Sequence, residues 1–314
     1  MLTTSPPGAY MIFPALLRRC LSFSISAATI FVLMSGISVA EEISGAVPEN
    51  PADVAAAGVS HATLTQPAQP DRITGEYLKG YVTDTGNMLA APANWNRCDW
   101  LKAGLVIGAT SGLYLADTSI KHFAQRNQSS IGDKGAAVGN AVGNPLYTVP
   151  ALGLLYVYGH FNDDPKARRT SLLTAESLVI SGAFTWGIKM TAQRPRPNSG
   201  ASSTTWDGPG FKVADYSFPS AHTTAAFSIA SVLAEEYGDN RYVPPVAYGL
   251  ATLTGLARIY NNKHWASDVF FGGVVGYVVG KTVVRYHTEQ GGTSLKVLPA
   301  TSRHGFGLMA EYLF

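Results

Sequence analysis

SLVISGAFTWGIKMTAQRPRP, residues 177–197, changes character once along its length. From Ser177 to Ile188 it carries no charge and no polar/apolar alternation, which reads as a helix in apolar surroundings and not as a half-buried strand. Lys189 is the first charge, and Pro195 and Pro197 forbid the helix to continue. An apolar helix therefore ends in a cationic cluster. Five further uncharged runs share the pattern: Ala103 to Ala116, Pro145 to Tyr158 (with Pro150 inside), Thr223 to Ala234, Tyr242 to Ala257 and Val269 to Gly280. Loops bearing Gly, Pro, Asn and Asp separate them. Upstream, Tyr77, Leu78, Tyr81, Val82, Thr85, Met88 and Leu89 recur at helical spacing, and Pro92 closes that short amphipathic segment. The expected fold class is all-α, a helical bundle of about six main helices with the functional groups at helix ends. The runs are shorter than the roughly 20 apolar residues that cross a bilayer, which favours a soluble or peripherally attached bundle over a polytopic one.

The ends of the chain differ from this middle. Arg18 and Arg19 precede an uncharged run, 21–40, that finishes Ser38-Val39-Ala40 before Glu41 and Glu42, the pattern of a cleaved secretory signal over residues 1–40. Residues 41–71 are Ala- and Pro-rich without a sustained apolar period and read as a flexible leader. The helical domain is expected over 72–290. In 291–314, Leu308, Ala310, Tyr312 and Phe314 alternate with their neighbours, and Leu295 to Leu298 lie upstream, which suggests a short C-terminal β-hairpin. The 314 residues, 46% hydrophobic and 14% charged, are enough for a substantial core and exclude a disordered chain. The net charge of +2 disappears with Arg18 and Arg19, so a nucleic-acid partner is not expected and any basic site must be local.

Three clusters carry chemistry. Lys189 is followed after six residues by Arg196-Pro197. Pro219-Ser220-Ala221-His222 directly precedes the helix from Thr223. Arg258 is followed after five residues by His264 and after three more by Asp268. Ser220 is placed to cap a helix whose first amides and dipole would attract an anion. Arg196, Arg258 and Lys189 would bind phosphate oxygens. His264 and Asp268, four apart, share a helix face, so Asp268 would accept the Nδ1 proton and leave Nε2 as a nucleophile, with His222 as the general acid. The pair could also be structural or two metal ligands; no third ligand of suitable spacing joins them, and no metal is expected. Arg194 reads as a surface charge, and His122, His160 and His287 as structural or exposed. Asn198 to Tyr216, rich in Gly and Ser with Trp206 and Phe211, is a long loop inside the helical pattern.

Taken in this order, the clusters resemble the type 2 phosphatidic acid phosphatase superfamily, which also contains bacterial class A acid phosphatases and the vanadium haloperoxidases. The resemblance spans Lys189 to Asp268. It implies phosphate-binding roles for Lys189, Arg196, Ser220, Ala221 and Arg258, a general acid in His222, a nucleophile in His264 that forms phosphohistidine, and an orienting partner in Asp268. It implies no cofactor. Ala221 stands where the family usually has Gly, and Ala257 where it usually has Ser, so one hydroxyl donor is missing. The function expected from this reading is a metal-independent, periplasmic phosphomonoesterase. Its substrate would be a small organic phosphate or a lipid phosphate, with peripheral membrane contact. A vanadium-dependent haloperoxidase and a polytopic membrane lipid-pyrophosphate phosphatase are the alternatives.

Overall fold

The computed structural model describes residues 71–212, 214–289, 294–302 and 305–313. The expected signal segment, and the leader up to residue 70, lie outside the described residues. Eight α-helices occur among those described: α1 Gly75–Ala90, α2 Arg97–Arg126, α3 Ser130–Val142, α4 Pro145–Phe161, α5 Pro165–Ala192, α6 Ala221–Glu236, α7 Val243–Tyr260 and α8 Ala266–Glu289. The all-α expectation holds. Each uncharged run lies inside one of these helices, apart from Tyr242, which stands at the N-cap of α7. Only α3 has no counterpart in the sequence reading, because SIGDKGAAVGNAV is built largely from small residues and carries Asp133 and Lys134 near its start, so it holds no long uncharged run of large apolar side chains. Residues Ser294–Ser302 and Gly305–Leu313 pair as an antiparallel hairpin, with Ser294 opposite Leu313.

Local chemistry sets the helix ends. Asn96 accepts from the amide of Asp99, and Asp99 returns a bond to the Asn96 amide, a capping box that starts α2. Pro145 and Pro165 occupy first turns, where a missing N–H costs nothing. α5 ends at Gln193, which takes a left-handed conformation (φ 43°) just before the two prolines.

α5, α6 and α8 form the centre of the bundle. Leu173 and Ile180 from α5, Val232 from α6, and Val279, Val283 and Val284 from α8 make the buried apolar cluster. The rest of this interface is small and polar: Ser177 of α5 meets Ser228 of α6 hydroxyl to hydroxyl. Around this centre, α4 packs on α5, α3 on α7, and α2 on α8. Two helical stretches, Pro165–Ala192 and Ala266–Thr288, are long and apolar enough to cross a membrane, and about half of each is buried inside the protein.

Glycines let α8 approach α6 closely. A Cβ at Gly276 would lie 2.1 Å from the Thr224 carbonyl oxygen and 2.9 Å from the Ser228 amide. One at Gly272 would lie 2.7 Å from the Ser220 carbonyl oxygen. The face that holds the two helices together therefore also sets where the N-terminus of α6 sits. Gly276→Ala gains about 1 kcal/mol of helix propensity. It forces the backbones apart, an overpacking cost of about 1–3 kcal/mol or more. The expected net result is a lower midpoint of thermal unfolding; a midpoint equal to or above wild type would show that the two helices can separate freely.

Candidate active site

The three sequence clusters meet where the C-terminal ends of α5 and α7 face the N-terminal ends of α6 and α8. Lys189 comes from the last turn of α5 and is buried; its Nζ donates to the Tyr216 carbonyl at 2.8 Å. Arg196 follows in the loop, its Nη2 donating to the Ala214 carbonyl at 2.7 Å. Arg258 closes α7, and its Nη1 donates to Asn140 Oδ1 of α3 at 2.8 Å. Both guanidinium groups keep a buried Nε–H that has no acceptor among the described residues. An N–H left in this state costs free energy unless an acceptor arrives, so two such donors describe a place for an anion.

The start of α6 tells the same story in backbone form. Ser220 stands at the N-cap position, as expected, but its side chain caps no amide. Its hydroxyl instead pairs with Thr223 Oγ1 at 2.9 Å, and its own amide donates to the Asp268 carbonyl at 3.1 Å. The first-turn amides of α6 thus receive no side-chain cap, and with the helix dipole they offer an anion-binding end. Ala221 is exposed in this turn, so its methyl group crowds nothing in the buried interior. Ala257 is buried against α3, where a Cβ on Gly139 would come within 3.0 Å of the Ala257 methyl.

His264 lies in the loop between α7 and α8 and is 3% exposed. Its Nδ1 is 2.8 Å from the Ser217 carbonyl oxygen, which can only accept, so Nδ1 carries the proton and Nε2 the lone pair. Asp268 Oδ2 is 3.8 Å from the same nitrogen, beyond hydrogen-bond range. The expected Asp268–Nδ1 bond is therefore replaced by a backbone one. Asp268 acts on His264 through its charge, and Oδ2 accepts from the Trp265 amide at 2.8 Å at the head of α8. Burial foremost, with Lys189 and Arg258 adding to it against Asp268, holds the His264 imidazole down at about 4, so it is neutral at ordinary pH. His222 is held down to about 4 as well, by burial first and then by Arg258, Arg196 and Lys189. Lys189 and Arg258 therefore act on both histidines, and Arg196 joins them at His222.

Those three charges yield a testable pH effect. A phosphate or vanadate dianion opposes the cations that depress His222, so its binding must raise that pKa. In histidine-selective NMR, the His222 midpoint is expected to climb from about 4 toward the ordinary imidazole range when vanadate is added. An unmoved midpoint under saturating vanadate would place the anion elsewhere.

Arg194 overturns its sequence reading. It is not a surface charge: it is fully buried. Its Nη1 donates to Asp268 Oδ1 at 2.6 Å and to Ser267 Oγ at 2.8 Å, and its Nη2 donates to Asp117 Oδ2 of α2 at 2.7 Å. Nε and Nη2 also donate to the Ser203 carbonyl. The rings of Tyr114, Trp206 and Trp265 lie about it, with centroids at 4.9, 5.1 and 5.2 Å. Asp117 Oδ2 in turn accepts from Ser267 Oγ at 2.5 Å. The long loop 198–216 thus contributes Ser203 and Trp206 to the enclosure of Arg194. Ser217, whose carbonyl orients His264, is tied to the same segment by its amide on the Arg194 carbonyl and its hydroxyl on the Pro195 carbonyl.

These helix ends gather the residues of the three sequence motifs, and the comparisons bear on the same segment. Residues 171–291 match the family model described as PAP2 superfamily, so the resemblance read from the three motifs is shown over that segment. The chain is 48% identical over 66 residues to the lipid A 1-phosphatase of Porphyromonas gingivalis, covering 21% of this chain and 15% of that protein. It is 30% identical over 119 residues to the decaprenylphosphoryl-5-phosphoribose phosphatase of Mycobacterium tuberculosis, 38% of this chain and 62% of that one. It therefore spans less than two thirds of either relative. Among solved structures, Aquifex aeolicus LpxE aligns with a TM-score of 0.44 at 21% identity, over 54% of this chain and 95% of that one. The PAP2-type phosphatidylglycerolphosphate phosphatase of Bacillus subtilis aligns with 0.43 at 16% identity, over 68% and 95%.

Proposed function

We propose that this protein is a phosphatase of membrane lipid phosphates that works through a phosphohistidine. The observation that carries the reading is the set of anion donors left without acceptors beside two neutral histidines: Arg196 Nε, Arg258 Nε and the uncapped first turn of α6. With Lys189 they would hold the three non-bridging oxygens of a phosphoryl group and stabilise the charge that develops on them. A bound phosphoryl dianion offsets the cations that depress His222 and lets it take up a proton. His264 Nε2 then attacks phosphorus as the ester P–O bond breaks, and the His222 imidazolium passes its proton to the leaving oxygen. Water then attacks phosphorus, the P–N bond breaks, and His222 takes the water's proton. The products are an alcohol and inorganic phosphate, and no step calls for a metal. Asp268 supports the positive charge that His264 gains. Arg194, which touches Asp268 and not the phosphate donors, is a positioning residue.

Two observations favour a lipid over a small ester. The curated relatives are named for lipid-linked phosphates. Large apolar side chains also face outward on α2 (Leu105, Ile107, Leu115, Phe123) and α4 (Leu146, Val149, Leu154, Phe161). Apolar side chains left open in this way suit a membrane or protein contact. Membrane association follows from the same reading, with the site on the periplasmic side as the expected secretory signal would place it. The test is phosphate release by the purified full chain from phosphatidic acid in mixed micelles, beside p-nitrophenyl phosphate in the same micelles. The expected result is a kcat/KM for the lipid at least about tenfold higher, corresponding to about 1.4 kcal/mol of extra transition-state binding. Equal values would reject the lipid preference, and absence of release from both would reject the phosphatase.

A further inference from the structure

Asp84, Glu176 and His287 form a second polar cluster. Glu176 lies thirteen residues before Lys189 on α5, about 20 Å along the helix axis, so the cluster sits at the other end of the bundle from the phosphate site. Asp84 comes from α1 and His287 from the last turn of α8. His287 Nε2 lies 2.9 Å from Glu176 Oε2 and 3.5 Å from Asp84 Oδ2, and one ligating atom from each residue falls within 4.8 Å of the others. Asp84 is 1% exposed and Glu176 is fully buried. Asp84 Oδ2, which faces His287, and Glu176 Oε1 have no hydrogen-bond partner among the described residues. The nearby Tyr77 hydroxyl is committed elsewhere, donating to the Leu172 carbonyl at 2.6 Å.

Two buried carboxylates are costly without a counter-charge. A single imidazolium shared between them would still leave one negative charge over. A divalent cation with a neutral His287 balances both. Two oxygens and one nitrogen are the donor set of zinc-class sites that keep a further position for water. Tetrahedral ligands at about 2.0–2.1 Å stand about 3.3 Å apart, and the separations of 2.9 and 3.5 Å fall on either side of that value. We propose that Asp84, Glu176 and His287 bind one divalent transition-metal cation, zinc in class, which fastens α1 to α5 and α8. The site is separate from the phosphate chemistry and goes beyond it.

The test titrates the full chain, stripped with chelator and desalted, with Zn²⁺ alone by calorimetry, and counts bound metal by elemental analysis. One equivalent is expected for wild type and for His264→Asn, which alters a histidine of the phosphate site. Glu176→Gln and His287→Asn are expected to weaken binding at least about 100-fold, more than loss of an outer partner usually does. Should Glu176→Gln lose the helical circular dichroism, Asp84→Asn on the outlying α1 takes its place. A wild-type chain that binds no Zn²⁺ would overturn the proposal and leave a carboxyl pair that shares a proton against imidazolium. Unchanged stoichiometry and affinity in the variants would also overturn it.

Discussion

Replacing His264 with asparagine lowers kcat by on the order of 10⁴-fold or more, the scale seen when a covalent nucleophile is removed. Asparagine is the sharper choice than alanine, because its amide can still donate to the Ser217 carbonyl that now receives Nδ1. With alanine, that buried carbonyl would lose its donor and add a stability cost of about 1–3 kcal/mol. The loss of turnover is therefore expected with the helical circular dichroism of wild type and with inorganic phosphate binding retained, since in the proposed mechanism the oxygens would be held by Lys189, Arg196, Arg258 and α6. A second readout isolates the chemistry. Brief mixing with ³²P-labelled substrate, followed by alkaline quench, should label wild-type protein and leave His264→Asn unlabelled. A variant that turns over at the wild-type rate, or labels normally, would remove phosphohistidine from the mechanism.

How far the sequence could be read depended on whether a signal was local. Charge-free runs between breakers located six of the eight helices, because a bundle core demands apolar surface at every turn, and the amphipathic spacing of Tyr77 to Leu89 located α1. Their lengths were underestimated. α5 extends back to Pro165 through Arg168, Arg169, Thr170, Ser171 and Thr174, all buried. A charge count treats such residues as solvent-facing, whereas Arg169 is paired with Glu236 of α6. The candidate-site residues could be picked out because each sits at a helix boundary that Pro or a charge marks. What orients them was not. The acceptor for His264 is a backbone carbonyl, and a carbonyl has no letter in the sequence. Asp117, the partner of Arg194, lies 77 residues away in α2, at no fixed spacing. One hint existed: Asp117 abruptly ends the uncharged run Ala103 to Ala116, and an acid at the edge of a buried stretch needs a cation.

Arg194 is where this network should fail most severely. Arg194→Met preserves bulk but leaves Asp117 and Asp268 facing each other without the cation between them, both fully or nearly fully buried. Breaking a buried ion pair on one side typically costs about 3–5 kcal/mol. Here one side chain serves two carboxylates and the Ser203 carbonyl, so the upper part of that range is expected in chemical denaturation. Asp117→Asn should cost less, because the Arg194–Asp268 pair survives and Asn can still accept. Arg194→Lys should fall between them, since an ammonium keeps the charge but cannot span both partners as a planar fork does. Stability alone would suit a merely structural residue, so the kinetics must separate the roles. Arg194→Lys is expected to lower kcat about 10²-fold, the scale of a misplacement of about 1 Å at the reacting centre. KM should change little, because Lys189, Arg196 and Arg258 do not bond to Arg194. A loss confined to KM would instead assign Arg194 to phosphate binding. An unchanged kcat in folded Arg194→Lys would mean that Asp268 needs no fork to hold its place beside His264.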